Sequence, residues 1–312
     1  MPKIPHKNKY LRYIFWVMAI VWAAPGTGAQ GAAVSADDGA RDYPNRPIRF
    51  ILPGGPGSSA DVFSRILTAK MSDVMGQQVV VDSRPGAGGM LGTDIAAKAT
   101  PDGYTMVITS IGMVTNRHLY AKLSYDPIKD FKNIGCFGTS ASVVLVSKES
   151  KIENLVDLVK FSKANPGQVF FGYYNSSSQI TAELFKLKTG AELTGIPYKS
   201  ISNAIQDFYG NQIQVIFMEY LPAMAQIQSG KVNALGVTES TRYSAWPNVP
   251  TIAETYPGYQ MGFFLGLGAP AGVNREISSI KIIYLETLNI KSRTTCVKQQ
   301  HSFWIQQRIR CI

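Results

Sequence analysis

The sequence predicts an α/β protein of two lobes with a ligand site in the cleft between them. Strand-like apolar runs alternate with helix-like amphipathic runs along the chain, and this alternation occurs in two separate series. The 230 residues from 43 to 272 exceed what one compact lobe usually needs. Two glycine-rich turns in the first series and a serine-rich segment in the second supply polar groups that would face a cleft.

The first glycine-rich turn, Pro-Gly-Gly-Pro-Gly-Ser-Ser-Ala-Asp, lies between a predicted strand over 48–52 and a predicted helix over 62–74. Ser58 and Ser59 are suited to cap that helix, whose N-terminus offers free backbone N–H groups to an anion. Asp61 falls in the first turn of the helix, where the helix dipole stabilises negative charge by about 0.3 to 1 kcal/mol. Capping is therefore the alternative to a ligand contact for Asp61.

The second glycine-rich turn, Arg-Pro-Gly-Ala-Gly-Gly at 84–89, lies between a predicted strand over 78–82 and a predicted helix over 90–99. Its glycines let the backbone approach a ligand closely, and successive N–H groups in such a turn form a nest for an anion. Neither turn matches the Walker A or the dinucleotide-binding pattern. Two turns facing one cleft predict a carboxylate or phosphate site, the alternative being turns that only reverse the chain.

Polar groups follow several of the other predicted strands. Ser110 comes after the third strand, a hydroxyl-rich turn over 175–178 comes after a strand of the second series, and Glu219 ends another strand. Open α/β sheets bind ligands at such carboxyl strand ends. The remaining strands are predicted over 104–109, 142–147, 169–174, 212–218 and 233–238, and the remaining helices over 155–164, 180–189, 204–209 and 221–228.

Residues 1–33 are predicted to be a secretory signal peptide. A basic start is followed by an apolar run over 13–24 and then by small residues. The run is 12 residues long, whereas a membrane anchor needs roughly 20. We therefore expect an exported, soluble mature protein.

The net charge of +10 is concentrated at the two ends of the chain. Four lysines and arginines lie in the first 33 residues and six lie after residue 275 against two glutamates, so the body is nearly neutral. No basic stripe interleaved with aromatic residues occurs there, which argues against a nucleic-acid partner. The body contains a single cysteine, Cys136, and a single histidine, His118. An internal disulfide and a multi-histidine metal site are therefore not expected in the body. No cofactor is expected.

Enzyme chemistry is not expected from this sequence. It has no G-x-S-x-G nucleophile motif, and only Asp61 and Glu219 are carboxylates at predicted strand ends. An exported enzyme that uses Asp61 or Glu219 as a general base is the alternative.

A set of short motifs recurs in order along residues 43–272. They are Tyr-Pro-Asn-Arg-Pro-Ile at 43–48, Pro-Gly-Ser-Ser-Ala-Asp at 56–61, the turn at 84–89, Pro-Asp-Gly-Tyr at 101–104, Tyr-Asp-Pro at 125–127, Ala-Asn-Pro-Gly at 164–167, Pro-Tyr-Lys at 197–199, Ser-Gly-Lys at 229–231, Pro-Asn-Val-Pro-Thr at 247–251 and Ala-Pro-Ala-Gly at 269–272. On these motifs the chain resembles the solute-binding proteins of tripartite tricarboxylate transporters, the Bug family.

The resemblance implies a type II-like periplasmic-binding-protein fold that closes on a small organic carboxylate. Lobe 1 would comprise residues 43–141 plus 265–312 and lobe 2 residues 142–264, with hinges near 140–145 and 260–266. Carried over residue by residue, the ligand-facing positions would be Ser58, Ser59, Asp61, Ala87, Gly88, Gly89, Ser110, Ser176, Ser177, Ser178 and Glu219.

Two departures from the family pattern accompany this resemblance. Glu219 stands where the family commonly has Asp. Its additional methylene would extend the carboxylate further into the cleft. The alternative role for Glu219 is an exposed cap of the following helix. Residues 276–312 lack an amphipathic period and are typical of a frameshifted or truncated end, with a divergent but functional C-terminus as the alternative.

The function implied by the resemblance is capture of the carboxylate in the periplasm by a monomer that presents it to an inner-membrane permease. One alternative is a ligand-sensing partner of a membrane sensor kinase. The other is a degenerate, non-functional product, which the altered C-terminus suggests.

Overall fold

The computed structural model describes residues 42–279. The predicted signal peptide at 1–33 and the part of the predicted first lobe after residue 279 lie outside the described residues. The strands are β1 (Ile48–Leu52), β2 (Val79–Ser83), β3 (Thr105–Ser110), β4 (Phe131–Ser140), β5 (Ser142–Ser147), β6 (Phe170–Tyr173), β7 (Thr194–Pro197), β8 (Val215–Glu219), β9 (Val232–Val237) and β10 (Phe263–Pro270). The α-helices are α1 (Ser59–Met75), α2 (Met90–Ala97), α3 (Ile111–Leu119), α4 (Leu155–Ala164), α5 (Ser176–Thr189), α6 (Ile201–Tyr209), α7 (Tyr220–Gln228) and α8 (Ile252–Thr255).

The strands form two five-stranded sheets. The first has the order β2-β1-β3-β10-β4, with β1 parallel to β2 and β3 and β10 antiparallel to β3 and β4. The second has the order β7-β6-β8-β5-β9, with β6 parallel to β7 and β8 and β5 antiparallel to β8 and β9. We call the elements around these sheets the first and the second lobe. The chain passes from the first sheet to the second at Ala141, and β10 returns it to the first.

Apolar clusters cover both faces of each sheet. In the first lobe, one cluster packs β1 against α1 through Phe50 and Met71, and another lies around Val107 on the opposite face. In the second lobe, Phe217 belongs to the cluster on one face of β8 and Met218 to the cluster on the other. Alternating residues of a buried strand point to opposite faces, so helices on both sides are required. The predicted two-lobed α/β fold is confirmed.

The limits of the lobes and the hinges stay predictions, but some predicted elements need correction. The sequence predicts a turn at 175–178, whereas Ser176 to Ser178 form the first turn of α5 and Asn175 is its N-cap. The Asn175 side chain accepts a hydrogen bond from the Ser178 backbone, and the Ser178 hydroxyl accepts one from the Asn175 backbone. This reciprocal capping box lets a serine run begin a helix.

Strands β4 and β10 were not predicted. They are rich in glycine, and β10 ends in Pro270, so neither has the apolar alternation that indicates a strand. They nevertheless pair along their whole length, and they bring the chain to and from the second lobe. No helix within residues 42–279 has both the length and the apolar character needed to cross a membrane.

Candidate functional site

One cavity lies between the two lobes, and most of the predicted ligand-facing residues line it. The first lobe contributes the start of α1, the second glycine-rich turn and the start of α3. The second lobe contributes the start of α5 and the end of β8. The predicted residues on its wall are Ser58, Ser59, Gly88, Gly89, Ser110, Ser176, Ser177 and Glu219.

The N-terminus of α1 forms one edge of the cavity. Ser58 is the N-cap: its Oγ accepts a hydrogen bond from the Asp61 N–H at 3.3 Å and donates one to the Gly55 carbonyl at 3.0 Å. Ser59, the first residue of the helix, is only 2% exposed, and its hydroxyl has no hydrogen-bond partner among the described residues. The turn thus holds a helix N-terminus and a buried hydroxyl against the cavity.

Asp61 does not face the cavity. Its Oδ2 accepts a hydrogen bond from the Gly57 N–H at 3.0 Å, and its Oδ1 pairs with Arg65 Nε at 2.8 Å one helical turn later. Gly57 has a φ of +82°, which few other residues adopt without strain. The side chain of Asp61 therefore braces the glycine-rich turn, and Ser58 is the N-cap of α1.

The second glycine-rich turn ends in three left-handed residues. Ala87, Gly88 and Gly89 have φ values of 49°, 64° and 90° and form one turn of 3-10 helix before α2. Successive backbone N–H groups in a turn can form a concavity that favours an anion. Gly88 and Gly89 line the cavity, whereas Ala87 lines a neighbouring one.

The start of α5 reaches the first lobe through Ser176. Its Oγ lies 2.9 Å from the Gly88 carbonyl oxygen and also within hydrogen-bond distance of Asn116 Oδ1, so its single proton is shared by two acceptors of the first lobe. Asn116 Nδ2 in turn donates to the same Gly88 carbonyl at 3.3 Å. Direct hydrogen bonds therefore hold the two lobes together at the second glycine-rich turn.

Hydroxyl groups from the two lobes converge at Gly112, in the first turn of α3. A methyl group on its Cα would lie 3.6 Å from Ser110 Oγ, 3.6 Å from Ser177 Oγ and 3.5 Å from the Cβ of Ser176. Ser178 differs from its two neighbours, because its hydroxyl is used by the capping box and does not line the cavity. Hydroxyl groups can orient either way, so this wall can donate to a ligand or accept from it.

Glu219 crosses from the second lobe to the first. It ends β8 and precedes α7, but its side chain does not cap that helix. Instead its Oε1 accepts from Asn175 Nδ2 at 2.9 Å, its Oε2 accepts from Tyr174 Oη at 3.2 Å, and the carboxylate accepts from the Ser59 backbone N–H of α1. The alternative of an exposed helix cap is therefore wrong, because Glu219 is 8% exposed and lines the cavity.

Burial raises the pKa of the Glu219 carboxyl above its ordinary value, against the effect of hydrogen bonds from Asn175, Ser59 and Tyr174, which stabilise the charged form. Burial and the neighbouring Glu219 carboxylate also raise the pKa of the Tyr174 hydroxyl well above its ordinary value. The Tyr174 hydroxyl therefore keeps its proton at neutral pH and donates a hydrogen bond to Glu219. Of the described residues that line the cavity, none is lysine or arginine, and residues 42–279 hold no cluster of three metal-ligating side chains.

A second cavity adjoins the first at Gly88 and Gly89. Its wall includes Tyr120, Tyr173 and Lys199.

Three residues of the site were not identified from the sequence. Asn116 lies on α3, which was not predicted, and Tyr174 and Asn175 lie at a strand end where only the serines were predicted to face the ligand. Asn175 carried a usable signal, since Asn-Ser-Ser-Ser before an apolar run is typical of a helix N-terminus.

Comparison with known proteins agrees with this geometry. Residues 63–283 match the family described as "Tripartite tricarboxylate transporter family receptor". Protein BugT of Bordetella pertussis (strain Tohama I) is 35% identical over 267 residues, which cover 84% of this chain and 80% of BugT.

Solved structures of similar proteins share the fold. The periplasmic binding protein BugD is 29% identical with a TM-score of 0.74, covering 78% of this chain and 82% of BugD. A protein of R. palustris solved with adipate is 30% identical with a TM-score of 0.74, covering 77% and 81% of the two chains. The resemblance inferred from the ordered motifs is confirmed, and the chain belongs to the tripartite tricarboxylate transporter receptor family, the TctC or Bug type of periplasmic solute-binding protein.

Proposed function

We propose that this protein captures a small organic carboxylate in the cleft between its lobes and presents it to the inner-membrane permease of a tripartite tricarboxylate transporter. The observation that carries the proposal is the convergence, on one cavity, of the α1 N-terminus, the left-handed turn at Ala87–Gly89 and the serines of both lobes. The adipate in the R. palustris relative supports a carboxylate as the ligand class.

Neutral donors are suited to hold the carboxylate. Backbone N–H groups at a helix N-terminus and in a left-handed turn bind an anion without a charged side chain. Ser110 and Ser177 add hydroxyl groups that adapt to the ligand and to bridging water. The Ser176 proton is already engaged by the Gly88 carbonyl and Asn116, so Ser176 contributes to the cavity wall as an acceptor. The proposed ligand-facing set is Ser58, Ser59, Gly88, Gly89, Ser110, Ser176, Ser177 and Glu219, with Ala87, Asp61 and Ser178 shaping the turns that present it.

Closure of the lobes accompanies capture in this proposal. The direct hydrogen bonds between Ser176 and the Gly88 turn join the lobes at the cavity wall, so a ligand that binds both walls stabilises the same arrangement. The proposed hinges lie near 140–145 and 260–266, and the passage of the chain between the sheets at Ala141 and at the start of β10 supports them.

The protein acts in this proposal as a periplasmic monomer and as a receptor, not as an enzyme. Export is expected from the predicted signal peptide, and the family consists of receptors. Glu219, the buried carboxylate of the cavity, is assigned to ligand recognition.

The test is calorimetric titration and thermal unfolding of the protein, expressed from the full chain, against mono-, di- and tricarboxylates and their amides. A ligand that binds only the native state raises the melting temperature, and at 100 times its Kd the gain is about 2.7 kcal/mol. We expect one class of acids to bind and its amides not to bind. A cooperative unfolding transition that no carboxylate shifts would overturn the proposal. Recovery of the bound acid unchanged after long incubation distinguishes a receptor from an enzyme.

A further inference from the structure

The cavity that is lined by Ser58 and Glu219, here called the inner cavity, has no lysine or arginine among its described residues. The acidic side chain on its wall, Glu219, repels an anion when it is ionised. Backbone N–H groups and hydroxyl groups hold a carboxylate once it is within hydrogen-bond distance, about 3 Å. Their attraction is short-ranged compared with that of a full charge. A positive charge that draws an anion towards the inner cavity therefore has to lie outside its wall.

The second cavity, here called the outer cavity, adjoins the inner one. The residues that line both belong to the two glycine-rich turns and to the start of α5; they are Pro53, Gly54, Gly88, Gly89 and Asn175. Both lobes form the outer wall, which also includes Tyr120 from the first lobe and Lys199 from the second. A ligand in the outer cavity therefore lies against the same two turns that we assign to the carboxylate.

Lys199 is the one described residue of the outer wall that carries a formal charge. It is exposed, and the ion pairs found within residues 42–279 do not include it. A methyl group on Gly55 would lie 3.7 Å from the Lys199 carbonyl oxygen, which places Lys199 beside the first glycine-rich turn. Asp207, which accepts a hydrogen bond from Tyr198 Oη at 2.8 Å, does not line the cavity. The outer cavity thus has a positive charge that no described ion pair neutralises.

Tyrosine hydroxyl groups from both lobes add neutral donors to the outer wall. Tyr120 follows α3, and Tyr173 ends β6. A methyl group on Gly88 would lie 2.5 Å from Tyr120 Oη, so this hydroxyl is next to a residue that lines both cavities. Burial and the neighbouring Tyr120 raise the pKa of the Tyr173 hydroxyl, which therefore keeps its proton at neutral pH. Hydrogen-bond donors thus continue from the outer cavity to the turn at Gly88.

We propose that the outer cavity is the encounter site of the anionic ligand and that Lys199 draws the ligand into it before the second glycine-rich turn binds the carboxylate. This inference rests on the proposed function and goes beyond it, because it assigns the route of entry. The field of an exposed charge reaches about 30 Å at 0.01 M salt but about 3 Å at 1 M. A charge at the rim of a binding site changes the association rate and its salt dependence more than the dissociation rate.

A charge series at Lys199 tests this inference. Rate constants are measured by stopped-flow tyrosine fluorescence with whichever of adipate, succinate, citrate and propionate binds the wild-type protein most tightly. At about 0.01 M salt, Lys199→Gln should lower the association rate constant at least about threefold and Lys199→Glu at least about tenfold, whereas Lys199→Arg should stay within about twofold of wild type. At about 1 M salt all four proteins should agree within about twofold, and their dissociation rate constants should agree within about twofold at either concentration.

Lys160→Gln is the matched control. Lys160 is also an exposed lysine of the second lobe, but it lies on α4 and lines neither cavity. Its replacement changes the net charge of the protein by the same amount as Lys199→Gln. The association rate constant of Lys160→Gln should therefore stay within about twofold of wild type at either salt concentration. Thermal unfolding checks that each variant is folded.

The outcomes separate this inference from the proposed function. If Lys199→Gln and Lys199→Glu associate as fast as wild type at low salt, or if Lys160→Gln slows association equally, the inference is wrong and the carboxylate receptor stands. A loss of affinity that lies in the dissociation rate and persists at high salt would place Lys199 against the bound ligand and also overturn the encounter site. If the folded wild-type protein binds none of the four acids or of the wider carboxylate panel, both the inference and the proposed function are wrong.

Discussion

The hydroxyl of Ser176 lies 2.9 Å from the carbonyl oxygen of Gly88, although 88 residues separate the two in the sequence. One is the first residue of helix α5 in the second lobe, and the other is the middle of a left-handed turn in the first. Their contact joins the two walls of the cavity, so closure of the cleft and the geometry of the anion nest depend on each other.

Replacing Ser176 by alanine should weaken carboxylate binding by about 2- to 13-fold, because a net hydrogen bond is worth about 0.5 to 1.5 kcal/mol. The remaining bond to the Gly88 carbonyl is the longer one from Asn116 Nδ2, at 3.3 Å. Calorimetric titration measures the change. Ser162→Ala is the control: its buried hydroxyl bonds Val159 and Glu192 away from the cavity, so it should lower stability and leave affinity unchanged. Equal affinities for Ser176→Ala and wild type would contradict the role of this contact.

Replacing Gly88 by alanine should abolish binding while the protein still folds. The new methyl group would lie 2.5 Å from Tyr120 Oη and 2.7 Å from Ser176 Oγ, so both side chains must move and the lobes cannot close as observed. The φ of +64° adds backbone strain of roughly 1 kcal/mol.

Gly76→Ala provides the matched control for Gly88→Ala. Gly76 has a φ of +66°, and apart from Gly76 and its two chain neighbours no atom of residues 42–279 lies within 4 Å of the position that its new methyl group would take. The Gly76→Ala variant therefore has the backbone strain without a steric contact. It should lower the melting temperature and keep ligand affinity. Loss of binding in both variants would show that strain, and not the contact at Gly88, is responsible.

Replacing Asn175 by alanine should lower both stability and affinity. Its Oδ1 caps α5 by accepting from the Ser178 N–H at 2.7 Å, and its Nδ2 donates to Glu219. Loss of the cap should cost about 1 to 2 kcal/mol in the free energy of unfolding, measured with urea. Thr251→Ala removes the cap of the corresponding capping box of α8, away from the cavity, and should lower stability alone. Unchanged affinity in Asn175→Ala would mean that Glu219 does not need this donor.

Asp61 should act through the shape of the first turn and not through ligand contact. Asp61→Asn keeps an oxygen that accepts from the Gly57 N–H, so affinity should stay within about twofold of wild type. Asp61→Ala removes that acceptor and should cost roughly 1 kcal/mol of stability together with some affinity. A large, equal loss of affinity in both variants, with stability unchanged, would instead assign Asp61 to the ligand.

The ion pair of Glu254 with Arg242 should make stability depend on pH in the acid range. Hydrogen bonds from Arg242 and from the Thr251 backbone lower the pKa of the Glu254 carboxyl from 4.5 to about 2. Since the folded protein holds the charged form more strongly than the unfolded chain does, this contribution is present above about pH 4.5 and is lost as the pH falls towards 2. Arg242→Gln should raise the Glu254 pKa in an NMR titration and shrink the difference in melting temperature between variant and wild type at low pH. A Glu254 pKa that stays near 2 in the variant would contradict this.

Local signals were sufficient for most of the fold. Strand β1 and helix α4 have the limits that their apolar patterns predict, because a buried face repeats with the period of its own secondary structure. The strands β4 and β10 could not be predicted in this way. Their glycines are explained by neighbours distant in sequence: a methyl group on Gly266 would lie 2.5 Å from Thr109 Oγ1 in the adjacent strand.

The candidate site likewise has a part that local sequence signals predict and a part that they do not. The two glycine-rich turns and the serines were recognisable because special backbone geometry and capping need particular residue types. Whether a side chain then faces the cavity or its own turn depends on a displacement of a few ångströms. Asp61 and Ser178 form hydrogen bonds within their own turns. Asn116 and Tyr174, which were not predicted, form hydrogen bonds at the cleft.

The sequence by itself determined the α/β alternation, the two anion-favouring turns and the family, since each depends on short-range periodicity or on ordered motifs. Only the tertiary structure decided that Glu219 crosses the cleft to the N-terminus of α1 and that Ser176 meets Gly88. These contacts join residues far apart in the chain, and they exist only once two separately formed sheets are packed so that their strand ends face each other.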